Sequence, residues 1–423
     1  MTKGYLGIST SAKTSTISAN KFTNDGDGGT TDDDIVLDNG AANVTISSNT
    51  FSANSSDEAI NVGSDNLCTN LQILNNFWGG SDGGIEVGNI TKSKIAGNTI
   101  QINADFIRPI HLNGAVTNTT VSGNTIYSSI ASVEDAVDLV RDLPGPLDSN
   151  DTVTGNLISG GFTEGVALDG ATGCTISSNT IRDCTDAGID LEVDSDTNKI
   201  STNTITGCGT GINIGQSADS NTLSKNTANS NTNDGIDLAS NGNTISSNIA
   251  DYNKVDGIFV DGGNSLTSPN KLTANSANYN DNKGIELNND NGSIASNNIA
   301  DYNSYAGIDI FGCQNSVITG NTANYNFNMG FAIVEGFTNA YTKNIANHNI
   351  SYGFSINETQ DTVTSNTSTS NGTGFYIQGT NITTKNNVAN SNVNDGFVIT
   401  HEPAPLPAIA PATMAPTASI FKM

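Results

Sequence analysis

Asparagine recurs along the chain at intervals of 21 to 32 residues, and an apolar residue usually stands two places after it. The marked positions are Asn20, Asn49, Asn76, Asn98, Asn124, Asn156, Asn179, Asn203, Asn226, Asn248, Asn275, Asn298, Asn321, Asn344, Asn366 and Asn387. A second short segment of the form Gly-[Ile/Val/Phe]-x-apolar follows, as at Gly84-Ile85, Gly188-Ile189 and Gly307-Ile308. A unit this short cannot bury an apolar face alone, so we predict that the units stack on one another.

Stacking gives these asparagines a structural role. Equivalent residues of successive units would lie about 4.8 Å apart along the axis, and buried amides at that spacing can hydrogen-bond along the column. A second column is predicted five residues after the mark, at Asn231, Asn253, Asn280, Asn303, Asn326, Asn349, Asn371 and Asn392. Cys184 and Cys208 take the same place in two earlier units. We expect them to be stacked, buried free thiols, because neighbouring parallel positions suit disulfide torsions poorly.

The segments NTIRDCTDAGIDL (179–191) and NIADYNKVDGIFV (248–260) show the complete repeat signature. The pattern resembles the right-handed parallel β-helix repeat family, shared by pectate lyases, polygalacturonases, mannuronan epimerases, phage tailspikes and NosD-like proteins. The resemblance covers about residues 7–400 and implies an all-β fold, a single right-handed parallel β-helix (β-solenoid). We expect about sixteen rungs over residues 1–400, roughly 75 Å long, with a long loop insertion at 127–150 and a Pro/Ala-rich tail at 401–423. No particular reaction is implied, because these families differ in chemistry.

The residues two places after the mark are predicted to form the core. Early units carry Phe22, Phe51, Trp78, Ile100, Ile126, Ile158, Ile181 and Ile205 there, and later units carry Ala250, Ala277, Ala300 and Ala323. These alanines are followed two residues later by Tyr252, Tyr279, Tyr302 and Tyr325. Since positions two apart on a strand share a face, we predict that the tyrosines fill the interior space that the alanines leave. The alternative is an outward tyrosine stack that grips sugars.

The charge balance excludes several classes of partner. The chain has 16 Lys and Arg against 42 Asp and Glu, a formal net charge of −26. Nucleic acid and anionic membranes need clustered cations, so neither is expected as a partner. Polyanionic glycans are also repelled unless metal ions bridge the charges. No apolar run is long enough to predict a membrane span, and the N-terminal sequence lacks the apolar core of a secretory signal.

The middle residues of the Gly-Ile-x-Ile segments should point outward and form one row along the solenoid. Glu86, His111 and Asp138 are consecutive in this row, and Arg108 and Arg141 lie close by in sequence. In the resembled enzyme families, active sites commonly lie on such a face. These residue types suit proton abstraction beside a sugar carboxylate, with His111 or Arg141 taking the proton and Arg108 neutralising the developing charge. The alternative is a surface salt-bridge patch under the long loop.

Two acidic pairs in the same row are weaker candidates. Glu286 and Asp309 are one rung apart and Asp190 and Asp237 are two rungs apart, which gives roughly 5 and 9–10 Å, near the carboxylate spacings of retaining and inverting glycosidases. Any two acids in such a row are separated by a multiple of one rung, so chance alone explains these spacings.

The segment NDGDGGTTDDD (24–34) is a candidate calcium site. It places Asp25, Asp27, Asp32, Asp33 and Asp34 around glycines, and carboxylate oxygens on a flexible loop suit Ca²⁺. The alternative is an acidic loop without a ligand. No other cofactor is predicted, because three scattered histidines and four methionines do not form copper-binding clusters.

The sequence contains neither the Tyr-Gly-Phe-Asp-Pro-His segment of mannuronan epimerases nor the Asn-Thr-Asp, Gly-His-Gly and Arg-Ile-Lys set of polygalacturonases. We therefore favour an extracellular or cell-surface structural protein, a rigid acidic rod that forms a homo-oligomer or an end-to-end filament, or contacts glycans, or does both. The alternatives are a polysaccharide-active enzyme (lyase, epimerase or glycoside hydrolase) and a phage tailspike-like receptor-binding protein of a virion.

Overall fold

The repeat unit folds into three short strands separated by sharp corners, and successive units stack in parallel register. The computed structural model describes residues 8–23, 33–37, 40–52, 58–63, 67–81, 83–103, 107–140, 149–262 and 266–400. Over these ranges the chain is an all-β, right-handed parallel β-solenoid of about 15 turns, which confirms the predicted fold class. The described residues contain no helix, and therefore none that could cross a membrane.

The rungs contribute strands to two long sheets, named A and B here, and most of them also contribute a strand to a third sheet, C. Sheet A consists of Ile8–Thr10, Ile35–Leu37, Ile60–Val62, Ile85–Gly88, Ile110–Asn113, Val137–Val140, Val166–Asp169, Ala187–Leu191, Thr210–Ile214, Ile236–Leu238, Ile258–Val260, Ile285–Asn288, Ala306–Phe311, Met329–Phe337, Tyr352–Thr359, Thr373–Thr380 and Phe397–Thr400. Sheet B consists of Ser15–Ser18, Val44–Ser47, Gln72–Leu74, Lys94–Ala96, Thr120–Ser122, Thr152–Thr154, Thr175–Ser177, Lys199–Ser201, Thr222–Ser224, Thr244–Ser246, Lys271–Thr273, Ile294–Ser296, Val317–Thr319, Ala340–Thr342, Thr362–Thr364 and Thr383–Lys385.

Sheet C is interrupted along its length. Its first part consists of Lys21–Phe22, Thr50–Phe51, Phe77–Ser81, Thr99–Ile102, Thr125–Val133, Leu157–Phe162, Thr180–Arg182, Thr204–Thr206 and Thr227–Asn229. Single parallel bridges continue it from Thr227 through Ile249 and Ser276 to Ile345. The last strands are Ile345–Asn347, Thr367–Thr369 and Val388–Asn390, and a separate two-stranded sheet pairs Cys68–Thr69 with Ile90–Thr91.

The marked asparagines form a hydrogen-bonded column at the corner between sheets B and C, as predicted. Asn298 shows the arrangement, which repeats along the column. Its Oδ1 accepts from the backbone N–H and the Nδ2 of Asn275 at 2.9 and 3.0 Å. Its Nδ2 donates to the Leu272 carbonyl at 3.1 Å and to Asn321 Oδ1 at 2.9 Å. Each side chain therefore satisfies backbone groups at a turn and also joins its own rung to the next.

The column predicted five residues after the mark is also present, at the corner between sheets C and A. It runs without interruption from Asn231 to Asn392. A third column, which the sequence analysis did not predict, lies at the corner between sheets A and B and includes Asn198, Asn221 and Asn243. In the described rungs of the solenoid's central part, every corner thus carries its own asparagine column.

The core agrees with the prediction except at the tyrosines. The large residues from Phe22 to Ile205 are buried, as are the four alanines from Ala250 to Ala323. Tyr252, Tyr279, Tyr302 and Tyr325 are instead 43–54% exposed, so the interior prediction is wrong and the tyrosines face outward, while contact with sugars stays a prediction. Each of these tyrosines has φ between 57° and 63°. The backbone is left-handed at this position, because the chain turns there and the two-residue alternation of a strand no longer applies.

The cysteines agree with the prediction, and the insertion differs from it. All five cysteines are buried and none forms a disulfide, including the stacked pair Cys184 and Cys208. The stretch 127–150, predicted as one long loop, contains most of the strand Thr125–Val133 and the whole strand Val137–Val140. Residues 141–148 and the Pro/Ala-rich segment 401–423 lie outside the described residues.

Candidate active site on the outer face of sheet A

The middle residues of the sheet A strands form one continuous row. The parallel register pairs Glu86 with His111 and His111 with Asp138. Beyond Ala167, the row continues through Asp190 and Asn213 to Asp237, and further up through Glu286 and Asp309. The buried isoleucines and valines on either side of each middle residue fix this register, because a shift of one residue would turn the apolar side chains outward.

Arg108 and His111 both contact Asp138. Nε of Arg108 lies 3.0 Å from Oδ2 of Asp138 and 2.8 Å from Oε2 of Glu134. Nε2 of His111 lies 3.7 Å from the same Oδ2 of Asp138. Asp138 is only 2% exposed, so it lies beneath the two basic side chains, which keep a solvent-facing edge. A substrate on this face would therefore meet His111 and Arg108, while Asp138 orients them from below.

The protonation of Asp138 is set by opposing effects. The pKa of Asp138 is raised to about 8: burial is the largest cause, the negative charge of Asp135 acts in the same direction, and the guanidinium of Arg108 opposes both. Burial also raises the pKa of Asp135 itself. The half-exposed Glu86 lies on the neighbouring strand beside His111. Four of the five predicted residues thus lie on or beside three consecutive strands, and the fifth, Arg141, lies outside the described residues.

An acidic cluster that the sequence analysis missed lies next along the row. Single carboxylate oxygens of Glu164, Asp190 and Glu192 all lie within 4.8 Å of one another. Glu164 lies in the turn before a sheet A strand. The next residue, Gly165, allows this turn to approach the next rung closely, because a Cβ at Gly165 would lie 2.6 Å from the Gly188 carbonyl oxygen. The sequence signal was an acid directly before the glycine of the Gly-Ile segment.

The carboxyl groups of this cluster repel one another. Burial raises the pKa of Glu164 to about 10, and the nearby charges of Asp190 and Asp135 contribute in the same direction. Burial also raises the pKa of Asp190, although Asn213 Nδ2 donates a hydrogen bond of 2.8 Å to its Oδ1. Burial likewise raises the pKa of Asp237 to about 6. Asp190 and Asp237 are two rungs apart, as predicted, but Asp190 belongs to the acidic cluster.

The other predicted pair is neutralised by a lysine. Nζ of Lys283 lies 2.7 Å from Oε2 of Glu286 and 2.7 Å from Oδ2 of Asp309. The two carboxylates raise the pKa of Lys283 against the effect of burial. Since both acids already share one ammonium group, they do not form the free pair of carboxyl groups that a retaining glycosidase needs.

The predicted calcium loop lies mostly outside the described residues. Asp25, Asp27 and Asp32 are not described, whereas Asp33 and Asp34 directly precede the strand Ile35–Leu37. Calcium binding by this segment stays a prediction.

The exposed tyrosines form a column on the opposite side of the C–A corner from the row. Rings of Tyr252, Tyr279, Tyr302, Tyr325 and His348 stack with centroids 4.7–4.9 Å apart and planes within 4° of parallel. Each inner ring has both faces covered by its neighbours, so the column offers solvent only ring edges and hydroxyl groups. Sugar binding by stacking on ring faces is therefore restricted to the two ends of the column.

The comparisons with known proteins agree with the fold. The family model described as "Right handed beta helix region" matches residues 147–275 and 267–368, together more than half of the chain. A search of curated proteins found no match.

Similar solved structures include the A-module of mannuronan C-5 epimerase AlgE6 from Azotobacter vinelandii, with 15% identity, a TM-score of 0.49 and coverage of 74% of this chain and 91% of that one. The Dettilon tailspike protein gp208 has 15% identity and a TM-score of 0.44, over 70% of this chain and 59% of that one. Pectate lyase Pel9A has 17% identity and a TM-score of 0.32, over 63% and 70%. Likeness at these identities reflects the shared fold alone.

Proposed function

This chain belongs to the right-handed β-helix family, and on that premise we propose that it is a polysaccharide-active enzyme with its catalytic groups around His111 on sheet A. One observation carries the proposal: consecutive strands bring His111 and the guanidinium of Arg108 together over the buried carboxyl group of Asp138. The fold does not fix the reaction, so the proposed activity depends on these side chains.

His111 is assigned the proton transfer. An imidazole changes its charge near neutral pH, which suits a general base or acid. Asp138 is a positioning residue, because it is covered by the side chains that it holds. Glu86 lies one strand away, about 4.8 Å along the axis, and supplies a second proton-transfer group. Arg108 supplies positive charge beside His111, where negative charge would develop on the sugar.

The row also indicates the shape of the substrate. Half-exposed polar side chains such as Glu86, His111 and Asn213 recur along the solenoid axis, so an extended glycan chain lying parallel to the axis would contact several rungs at once. The net charge of −26 favours a neutral glycan, or an anionic glycan whose charges are bridged by cations.

The test compares matched histidine variants on a panel of neutral and anionic polysaccharides, with absorbance of unsaturated products and release of reducing ends as readouts. His111→Asn should reduce kcat by at least about 10²-fold. His348→Asn, at an exposed histidine of the aromatic column, should leave the rate unchanged. Asp138→Asn should lower kcat and displace the pH profile, as expected for a positioning residue. Equal rates for both histidine variants would refute the assignment.

A second candidate function is the structural rod predicted from the sequence, extracellular or on the cell surface. The exposed aromatic column supports it, together with the neighbouring Phe327 and Ile350, which are 69% and 61% exposed. Exposed apolar side chains in a contiguous patch mark protein contacts. Negative-stain electron microscopy with calcium and with chelator would show filaments or lateral bundles if this candidate is right. Isolated short rods under both conditions would count against it.

A further inference from the structure

We propose that Glu164, Asp190 and Glu192 form a binding site for one divalent cation of the size of Ca²⁺. The site is distinct from the predicted loop at 24–34, and it does not depend on the proposed catalytic function. Glu164 lies in the turn before one sheet A strand, Asp190 lies in the next strand, and Glu192 directly follows that strand.

The separation of the oxygens fits the size of a calcium ion. Oxygens bound to Ca²⁺ lie about 2.3–2.6 Å from the ion, so two ligands of one ion are at most about 5 Å apart. The observed limit of 4.8 Å among all three oxygens falls within that sphere. Mg²⁺ binds at about 2.0–2.1 Å and demands near-ideal octahedral geometry, whereas Ca²⁺ accepts irregular sets of carboxylate oxygens such as this one.

Glu164 gives the second, independent observation. Its side chain is 7% exposed, and among the described residues no amide, hydroxyl or basic group donates to its buried Oε2; the polar group against this side chain is the carboxyl group of Asp190. A buried carboxylate oxygen without a partner is costly, because it has lost its water and gained nothing in return. A cation held between Glu164 and Asp190 would satisfy this oxygen.

The surrounding charge favours a cation as well. The charged groups that act on the cluster include Asp135, Asp169 and Asp186, all of them acidic. Arg108, a nearby cation beside the row, already forms ion pairs with Asp138 and Glu134. Glu192 is exposed, so the outer side of the ion would keep water molecules as its remaining ligands.

The experiment uses the full chain, freed of metal with chelator and titrated with calcium chloride by calorimetry and by thermal melting. Calcium should bind and raise the melting temperature of the wild type by several degrees. Glu164→Gln and Asp190→Asn keep the side-chain shapes and remove charge. Each should lose the calcium-dependent shift and, in chelator, melt at or above the wild-type temperature, because folding no longer has to desolvate or protonate that carboxyl group.

Asp237→Asn is the matched control. It lies in the same row two rungs away and outside the cluster, so it should bind calcium like the wild type. A calcium-dependent shift that persists in both Glu164→Gln and Asp190→Asn would overturn the proposal, since the ion would then bind elsewhere. So would a wild type that shows no shift with calcium at millimolar concentration.

Discussion

Replacing Asn321 by alanine should destabilise the rungs on either side of it. Asn321 is completely buried. Its Oδ1 accepts from the N–H and Nδ2 of Asn298 at 2.8 and 2.9 Å. Its Nδ2 donates to the Ala295 carbonyl at 2.9 Å and to Asn344 Oδ1 at 3.1 Å. The substitution thus removes four hydrogen bonds, each with a net contribution of about 1 kcal/mol.

The expected loss is therefore about 4 kcal/mol, or roughly 10³-fold in the local opening equilibrium at about 1.4 kcal/mol per tenfold. Because the contacts of a solenoid rung are with its neighbours, the loss should be confined to adjacent rungs. Hydrogen exchange followed by mass spectrometry would detect it in peptides around Asn298 and Asn344. The control Asn233→Ala, at an exposed asparagine, should change stability by less than about 0.5 kcal/mol. Equal exchange in the two variants would refute the role assigned to the column.

Two further predictions concern pH and thiol chemistry. Burial raises the pKa of Asp151 to about 7 and the pKa values of Asp256 and Glu358 to about 8, from 3.8 for aspartate and 4.5 for glutamate. The folded chain thus binds these protons more tightly than the unfolded chain, so their stabilisation is complete below about pH 4 and is lost as pH rises to 8. Melting temperature should fall steadily from pH 5 to pH 9, and a rise over that range would contradict the argument. Ellman's reagent should react slowly with the folded chain, because all five cysteines are buried, and should react with all five after denaturation. A thiol that reacts fast in the folded chain would contradict this burial.

The columns and the row could be predicted because every rung repeats the same environment. A buried asparagine at the B–C corner needs a partner at the same corner of the next rung, so the requirement appears in the sequence as a period. The column at the A–B corner escaped notice because its asparagines are interrupted by other residues, including Asp151, Ser293 and Ser316. Asp151 accepts from the Thr119 N–H and Ser316 donates to the Asp290 carbonyl, whereas the Ser293 hydroxyl donates to the side chain of Asp290, so the residue type changes along this column.

The prediction for the tyrosines was wrong because it assumed that the two-residue alternation of a strand continues across a corner. Ala300 ends the alternating part of its rung, and Tyr302 follows at φ 61°, where the backbone turns. A left-handed residue reverses the side-chain direction that simple alternation predicts. Periodicity alone does not reveal such a turn, because the same letters read equally well as one longer strand.

The candidate site was predicted only in part, because some of its contacts depend on the path of the turns before the strands. The register of the sheet A strands placed Glu86, His111 and Asp138 in succession. The burial of Asp138 beneath Arg108, and the entry of Glu164 into a cluster with Asp190, depend on how the preceding turns approach the sheet. Strand periodicity carries no information about that approach.

The head-to-tail bonding of the asparagines makes the length of the rod adjustable in whole steps. Asn298, Asn321 and Asn344 are each 23 residues apart, and each donates in the same direction to its successor. Deleting residues 299–321 would present Asn344 to Asn298 in the place that Asn321 now occupies. Gain or loss of a complete rung therefore preserves the bonding on both sides of the junction, whereas a change of a few residues within a strand disrupts it. Such a chain can vary in length over evolution by unequal recombination within its gene. Gain or loss of a rung changes the distance between surfaces on either side of it, while each surface keeps its own local structure.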